Sequence, residues 1–231
     1  MKKLLLTMFV ASITFGAFAQ FQMGLKGGLN ISSVTPGYFT SGYDDNAEQT
    51  VRDFYNDYTS SKMGMNIALV LNTGGKVFSF QPEFAYSQRG YSMLDIDKKY
   101  AGKFNMNYFD IKPMFNIGGG GDNWKVYAHF GPSINIWLSR AEFDKDGKYI
   151  ANSDEWGTDS DEAGSGEYDF RLDLGLVLGI GAKYKVGPGW ILFNPRYEWG
   201  ILPSVILDLG SDGYSLLNRT LSINVGYLYE F

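Results

Sequence analysis

The chain has 231 residues and a formal net charge of −5 at pH 7, with 20 Lys and Arg residues against 25 Asp and Glu residues. An acidic balance of this kind makes nucleic acid an unsuitable partner. The absence of cysteine excludes disulfides and thiolate metal sites. An aromatic content of 16% favours strands, and 29 glycines disfavour long helices.

Residues 1–19 are typical of an export signal. Lys2 and Lys3 form a positively charged start, an apolar run over residues 4–15 follows, and Ala17-Phe18-Ala19 fits a cleavage triplet. The apolar run is too short for a membrane-spanning helix. We therefore expect residues 1–19 to be removed and residues 20–231 to form a single domain in the outer membrane. The alternative is a buried first helix.

Alternation of apolar and polar residues predicts eight strands after the signal. They span approximately residues 21–34, 63–71, 77–91, 103–117, 125–140, 168–186, 190–206 and 219–231. Three connections are short glycine-rich turns, and four are longer and more polar, at residues 35–62, 92–102, 141–167 and 207–218. Short periplasmic turns that alternate with long extracellular loops are typical of a transmembrane barrel.

The predicted fold is therefore all-β, an eight-stranded antiparallel transmembrane β-barrel. No later segment approaches eighteen consecutive apolar residues, so a chain of this kind that spans a membrane must close as a barrel. A ten-stranded barrel is the alternative, because the first and third long loops have room for strands.

The polar face of the strands is predicted to point inward. A soluble barrel with its apolar face inside is the alternative. The polar face, however, carries many glycines, which suit a narrow interior crowded by long side chains. These glycines are Gly24, Gly28, Gly64, Gly131, Gly175, Gly179, Gly181 and Gly226.

The last strand resembles the C-terminal signal by which outer-membrane barrels are recognised for assembly. The signal pattern consists of a polar residue, a glycine, an aromatic residue and a terminal aromatic residue. Asn224, Gly226, Tyr229 and Phe231 match it in spacing. We expect the barrel-insertion machinery to recognise this strand.

Five segments resemble the PorT-like outer-membrane β-barrel family, and the resemblance covers essentially the whole mature chain. They are residues 24–30, 80–90, 108–113, 130–132 and 196–200. The resemblance implies an eight-stranded barrel in the cell outer membrane, usually with no assigned activity. The family's namesake is associated with protein secretion, but a shared barrel fold does not transfer that role.

Twelve charged or amide residues of the inward face are the candidates for chemistry, and nine of them form the predicted lumenal polar cluster. The nine are Lys26, Gln81, Glu83, Asp110, Lys112, Arg171, Asp173, Arg196 and Glu198; the others are Arg89, Lys183 and Glu230. The favoured interpretation is a polar plug of paired acids and bases, because an eight-stranded lumen is just wide enough for side chains. An ion path or a catalytic cluster is the alternative. Glu83, paired with Arg196 or Lys112, is expected at the centre.

No catalytic, cofactor or metal site is predicted. His129 is the only histidine, and Ser133 lies about 13 Å further along the same face of the strand, which is too far for a Ser–His pair. The acidic third loop offers oxygen ligands but lacks the spacing of an EF-hand. Its acids are Asp144, Asp146, Asp154, Glu155, Asp159, Asp161, Glu162 and Glu167.

The first long loop is rich in aromatic residues, which are scarce in disordered segments. They are Tyr38, Phe39, Tyr43, Phe54, Tyr55 and Tyr58. They are expected to cap the barrel, to lie against lipid headgroups or to form a recognition surface.

The sequence thus favours a non-enzymatic barrel with a filled polar lumen and a structural, interaction or assembly role through its external loops. The expected partners are outer-membrane lipid, the barrel-insertion machinery and a protein of the envelope. A barrel that transports small solutes or handles lipid is the alternative, and a membrane hydrolase is a third possibility.

Overall fold

The computed structural model describes residues 20–39, 45–152, 167–168, 172–202, 205–209 and 212–231. The expected signal over residues 1–19 and the predicted lumenal residue Arg171 lie outside these ranges, as do the loop acids between Asp154 and Glu162. The elements in chain order are β1 Gln20–Phe39, α1 Asp45–Tyr58, β2 Thr59–Gly74, β3 Phe78–Leu94, β4 Tyr100–Gly120, β5 Trp124–Asp144, β6 Tyr149–Asn152, β7 Glu167–Tyr168, β8 Leu172–Val186, β9 Gly189–Gly200, β10 Val205–Leu209 and β11 Asp212–Glu230. Within the described ranges, no helix has the length and apolarity needed to cross a membrane.

Eight long strands form a closed antiparallel ring. They follow one another in the order β1, β2, β3, β4, β5, β8, β9 and β11, and β11 pairs with β1. At this closure the rings of Phe21 and Phe231 lie 5.6 Å apart, and the backbone N–H of Phe231 donates to the carbonyl of Phe21. The predicted eight-stranded barrel is confirmed, and the ten-stranded alternative is wrong.

The three short strands extend the hairpins of the extracellular end without joining the ring. Strand β6 pairs with β5, whereas β10 pairs with both β11 and β7. The predicted loop over residues 207–218 is therefore wrong, because β10 and β11 form a hairpin there. Of the predicted sixth strand, residues 168–186, Leu172–Val186 form β8 and Tyr168 belongs to β7, whereas residues 169–171 lie outside the described ranges. Strand pairing beyond the lipid leaves both faces in water, so the sequence loses its apolar alternation there.

The outer surface of the ring carries an apolar band that begins at the periplasmic turns. On β4, the outward residues Phe109, Phe115 and Ile117 are 37–43% exposed. The next outward position towards the extracellular end is Asn107, whose register partners are Gln88 and Ser139. At the closing seam, the outward pair of Ser33 and Arg219 is also polar. An apolar band that stops at a common polar edge is the surface expected for a barrel in lipid. The prediction that the polar face points inward is confirmed.

Inward glycines make the narrow interior possible. On β8, Gly179 and Gly181 are register partners of His129 and Tyr127 on β5. A Cβ atom at Gly179 would overlap the imidazole of His129, and one at Gly181 would lie 2.5 Å from the hydroxyl of Tyr127. Large side chains of β5 thus occupy the volume that β8 leaves empty.

Candidate functional site

Glu83 lies at the centre of one charged group inside the barrel. One carboxylate oxygen of Glu83 contacts the ammonium of Lys26 at 2.5 Å, and the other contacts the guanidinium of Arg196 at 2.6 Å. The side-chain amide of Gln81 donates to the first oxygen at 2.9 Å. These contacts connect β1, β3 and β9 across the lumen.

A second charged group lies nearer the extracellular end. Arg89 contacts Asp110 at 2.6 Å and Glu198 at 2.9 Å. Lys112 contacts the same two carboxylates at 2.7 Å and 2.9 Å. Because each acid faces two cations and each cation faces two acids, the four groups form a closed ring of charge. The sequence left two candidate partners for Glu83, Arg196 and Lys112. Because Lys112 belongs to this ring, Arg196 is the partner of Glu83.

The described residues of the predicted lumenal cluster all lie in the interior. Lys26, Gln81, Glu83, Asp110, Lys112, Asp173, Arg196 and Glu198 are at most 4% exposed. Asp173 stands apart from both charged groups and accepts a hydrogen bond of 2.6 Å from the amide of Asn218. With Arg89 included, four cations and three carboxylates of this interior form ion pairs, which offset the large cost of burying each of these charges.

Neutral side chains that the sequence argument left out complete the hydrogen bonding of the acids. Ser133 and Asn135 both donate to Glu198 at 2.9 Å. Ser87 donates to Asp110 at 2.8 Å, and the guanidinium of Arg89 lies 5.0 Å from the ring centre of Tyr108. All four neutral residues have the inward parity, so strand alternation alone is the signal that would have found them.

His129 is fully buried on the inward face of β5, and neither ring nitrogen has a hydrogen-bond partner among the described residues. Ser133 is engaged with Glu198. Within the described chain, no three side chains of His, Cys, Asp or Glu are grouped so as to hold a metal ion. In the acidic loop, Asp144 accepts hydrogen bonds from the backbone N–H groups of Asp146 and Lys148 and thereby forms a turn.

Helix α1 of the first long loop packs at the extracellular mouth. Tyr55 of α1 is 8% exposed and packs in an apolar cluster inside the rim. The other members of this cluster, which we call the mouth cluster, are Val34, Tyr91, Met106, Tyr108, Trp137 and Leu216, with Val51 of α1 packed against it. Val51 and Tyr55 are one turn apart, so one face of a short polar helix supplies both contacts.

The flank of α1 beside this docked face is partly open to solvent. Phe54 is 46% exposed and lies 5.2 Å, ring to ring, from Tyr58. Lys98 of the second long loop lies 4.3 Å from the ring centre of Tyr58 and contacts Asp57 at 3.3 Å. We call Phe54, Asp57, Tyr58 and Lys98 the outer patch.

Replacing Tyr55 by alanine should release α1 from the mouth. A buried aromatic side chain contributes about 3–5 kcal/mol of packing, and α1 is too short to persist without tertiary contacts. Cleavage by trypsin after Arg52 in intact vesicles should therefore accelerate by about tenfold or more. The matched control is Phe54→Ala, which removes an exposed neighbouring ring. Equal cleavage rates in the two variants would contradict the docking of α1 on the mouth cluster.

The residues of the expected assembly signal lie on the closing strand. Asn224 is fully buried and faces the lumen, and Gly226 lies against Lys26. Tyr229 and Phe231 are 44% and 71% exposed on the lipid face, with their rings 4.8 Å apart. Aromatic rings at this level belong to the girdle that borders the hydrocarbon.

Comparison with known proteins agrees with this architecture. Residues 14–205 match the model of the outer membrane protein beta-barrel domain family. The chain belongs to this family, and it is a protein of the outer membrane. No curated protein matches the sequence significantly.

Solved structures of outer-membrane proteins are similar to the chain. OprG from Pseudomonas aeruginosa has a TM-score of 0.51 at 12% sequence identity, over 91% of this chain and 95% of OprG. Ail of Yersinia pestis, solved with the heparin analogue sucrose octasulfate, has a TM-score of 0.42 at 13% identity, over 91% and 99% of the two chains. Neisserial surface protein A has a TM-score of 0.44 at 12% identity, over 92% and 99%. At this level of identity, OprG is evidence for the fold and not for a function.

Proposed function

We propose that this protein is a closed, non-enzymatic outer-membrane barrel that acts through its extracellular face by binding a protein of the cell envelope. The observation that carries the proposal is the double closure of the lumen. Charged side chains fill the middle of the barrel, and α1 covers its mouth. A barrel without a path through its lumen acts through its outer surfaces. On the extracellular side, the exposed surface is the outer patch.

The filled interior supports a structural role for the lumen. Glu83, Asp110 and Glu198 each contact two cations, so the charges satisfy one another and leave no cation or acid of these two groups free for a passing ion. Buried His129 offers no base at the extracellular mouth, where a substrate would arrive. The PorT-like resemblance is compatible with an assembly role among the possible interactions.

The outer patch supports binding of a protein. It combines an exposed aromatic ring with an ion pair on a helix that the barrel holds in place. Aromatic residues within a polar surround are the composition of binding hot spots, and a docked helix loses little further entropy when a partner binds.

Purified protein inserted into planar bilayers should show no stable single-channel conductance. The physical reason is that ion-paired side chains occupy the middle of the narrow lumen. An open porin added to the same bilayer afterwards shows that insertion and conductance are detectable. Regular conductance steps from the purified protein would contradict the closed-lumen part of the proposal and favour transport.

The interaction part is tested by crosslinking in intact cells, followed by identification of the proteins captured. Phe54→Ala should reduce capture of a specific envelope protein by about tenfold or more, as expected for a hot-spot ring. Asp144→Ala changes a turn on another extracellular loop and serves as the control. A capture pattern that is identical for wild type and Phe54→Ala would overturn the assignment of the outer patch.

A further inference from the structure

The periplasmic mouth contains two lysines that have no carboxylate partner among the residues that the structure describes. Lys125 and Lys183 are register partners on β5 and β8, and both have the inward parity. Like charges directly opposite each other destabilise a sheet. Lys183 is only 6% exposed. Within the described chain neither lysine forms an ion pair, and their recorded contacts are with the rings of Trp190 and Tyr127.

The acids identified on this rim are already occupied. Glu230 contacts the ammonium of Lys185 at 3.0 Å and accepts a hydrogen bond from Gln22 at 3.2 Å. Asp122 contacts Lys76 at 3.6 Å. A buried ammonium without a carboxylate is costly, so the pair of Lys125 and Lys183 is arranged for an anion from outside the chain.

Both lysines line a polar cleft that opens at the mouth. The cleft has a volume of about 30 Å³, which is more than one water molecule requires. Its wall includes Gly118 and Gly119 near the end of β4, which present no side chains. Space around Gly119 is open, since a Cβ atom there would meet nothing within 4 Å. Backbone without side chains therefore separates the cleft from the lipid at this point, and we call this part of the wall the low rim.

An apolar groove lies on the lipid side of this low rim. Its volume is about 530 Å³, and it shares Gly118, Gly119, Val126 and Tyr127 with the polar cleft. Small outward residues, Ala128 and Ala182, form the floor between the bulkier Ile117, Ile180 and Phe193. The groove thus adjoins the polar cleft across the rim, and its apolar lining suits an acyl chain.

Exposed aromatic residues fix the level of the cleft relative to the bilayer. Trp124 and Tyr184 are register partners, are 52% and 61% exposed, and are each adjacent in sequence to one of the two lysines. Such rings lie at the boundary between hydrocarbon and headgroups. Lys125 and Lys183 are consequently at the level of lipid phosphates.

We propose that this rim binds one anionic phospholipid of the inner leaflet, with its phosphate between Lys125 and Lys183 and an acyl chain in the adjoining groove. The phosphate supplies the missing counterion through charge-assisted hydrogen bonds. An acyl chain in the groove makes more apolar contact than an acyl chain that lies against the convex outer wall of the barrel. The binding is independent of the outer patch at the other end of the barrel.

The test is a titration of the purified barrel in detergent with phosphatidylglycerol, read by native mass spectrometry as the fraction carrying one lipid. Lys125→Gln/Lys183→Gln should weaken binding by about tenfold or more, the effect of losing a charge-assisted bond. The matched control, Lys99→Gln/Lys185→Gln, removes the same charge from two lysines that already have carboxylate partners and do not line the cleft, and should leave affinity within about twofold. Heat-modifiable gel mobility confirms that each variant is folded.

Two further arms separate a lipid from a free anion. Ala182→Phe fills the groove and should weaken phosphatidylglycerol binding, whereas Leu176→Phe on the same strand should not. Diacylglycerol with the same chains should not bind, because it lacks the phosphate. Equal losses in the two lysine double variants, or no effect of Ala182→Phe together with full displacement of lipid by inorganic phosphate, would overturn the proposal.

Discussion

Replacing Glu83 by alanine should lower the free energy of unfolding of the barrel by about 3–5 kcal/mol. The substitution leaves Lys26 and Arg196, which are 1% and 3% exposed, buried without their shared carboxylate. The measurement is urea unfolding in lipid vesicles, followed by tryptophan fluorescence. Glu83→Gln keeps the volume and a hydrogen-bonding oxygen, so its loss should be smaller than that of alanine.

The matched control for Glu83→Ala is Asp122→Ala. Asp122 also forms an ion pair, but its side chain is 93% exposed, and exposed pairs contribute about 0–1 kcal/mol. If the two alanine variants unfold at the same urea concentration, the lumenal charges do not hold the barrel together.

Gly28→Ala should destabilise the barrel at its closing seam by about 1–3 kcal/mol. An added Cβ atom would overlap the carbonyl oxygen of Ile223 and lie 2.9 Å from the Cα atom of Asn224, both on β11. Backbone atoms cannot rotate away as a side chain can, so the pairing of β1 with β11 must shift. The readout is the same urea transition, with heat-modifiable gel mobility to report closure.

The adjacent glycine provides the control for the seam. At Gly27 a Cβ atom would have one neighbour within 4 Å, the carbonyl oxygen of Asn66 at 3.5 Å, which is ordinary contact. Gly27→Ala should therefore be neutral or stabilise by a few tenths of a kcal/mol, because alanine restricts the unfolded chain. A larger loss at Gly27 than at Gly28 would show that close packing at the seam is not the reason for glycine there.

Strand alternation was sufficient to predict the ring and the inward residues, because the period of two is imposed by backbone geometry. It was not sufficient to predict the pairs. Lys112 and Arg196 were equal candidates for Glu83, and the stagger between strands decides which side chains meet across the lumen. The stagger depends on how all eight strands close into the barrel, so the sequence of a single strand does not predict it.

Irregularities along a strand were a second source of error. The β4–β5 register shifts between Asn107 and Tyr108, so Arg140 faces Met106 on the inward side of the ring. A simple count from Trp137 would place it differently, because a bulge reverses the alternation that follows it. Helix α1 was also missed, since Val51 and Tyr55 are its main buried apolar residues and its stability comes from the mouth cluster.

The length of the barrel strands affects where a binding partner can reach the protein. Strands β4 and β5 each have 21 residues, and at a tilt near 45° such a strand rises about 50 Å. The apolar band of a bilayer accounts for about 25 Å of that height. The rest of the strand height forms a collar outside the hydrocarbon layer, and this collar holds α1 beyond the lipid headgroups. A partner as large as a folded domain can thus reach the helix from the side as well as from above, without first pushing lipid aside.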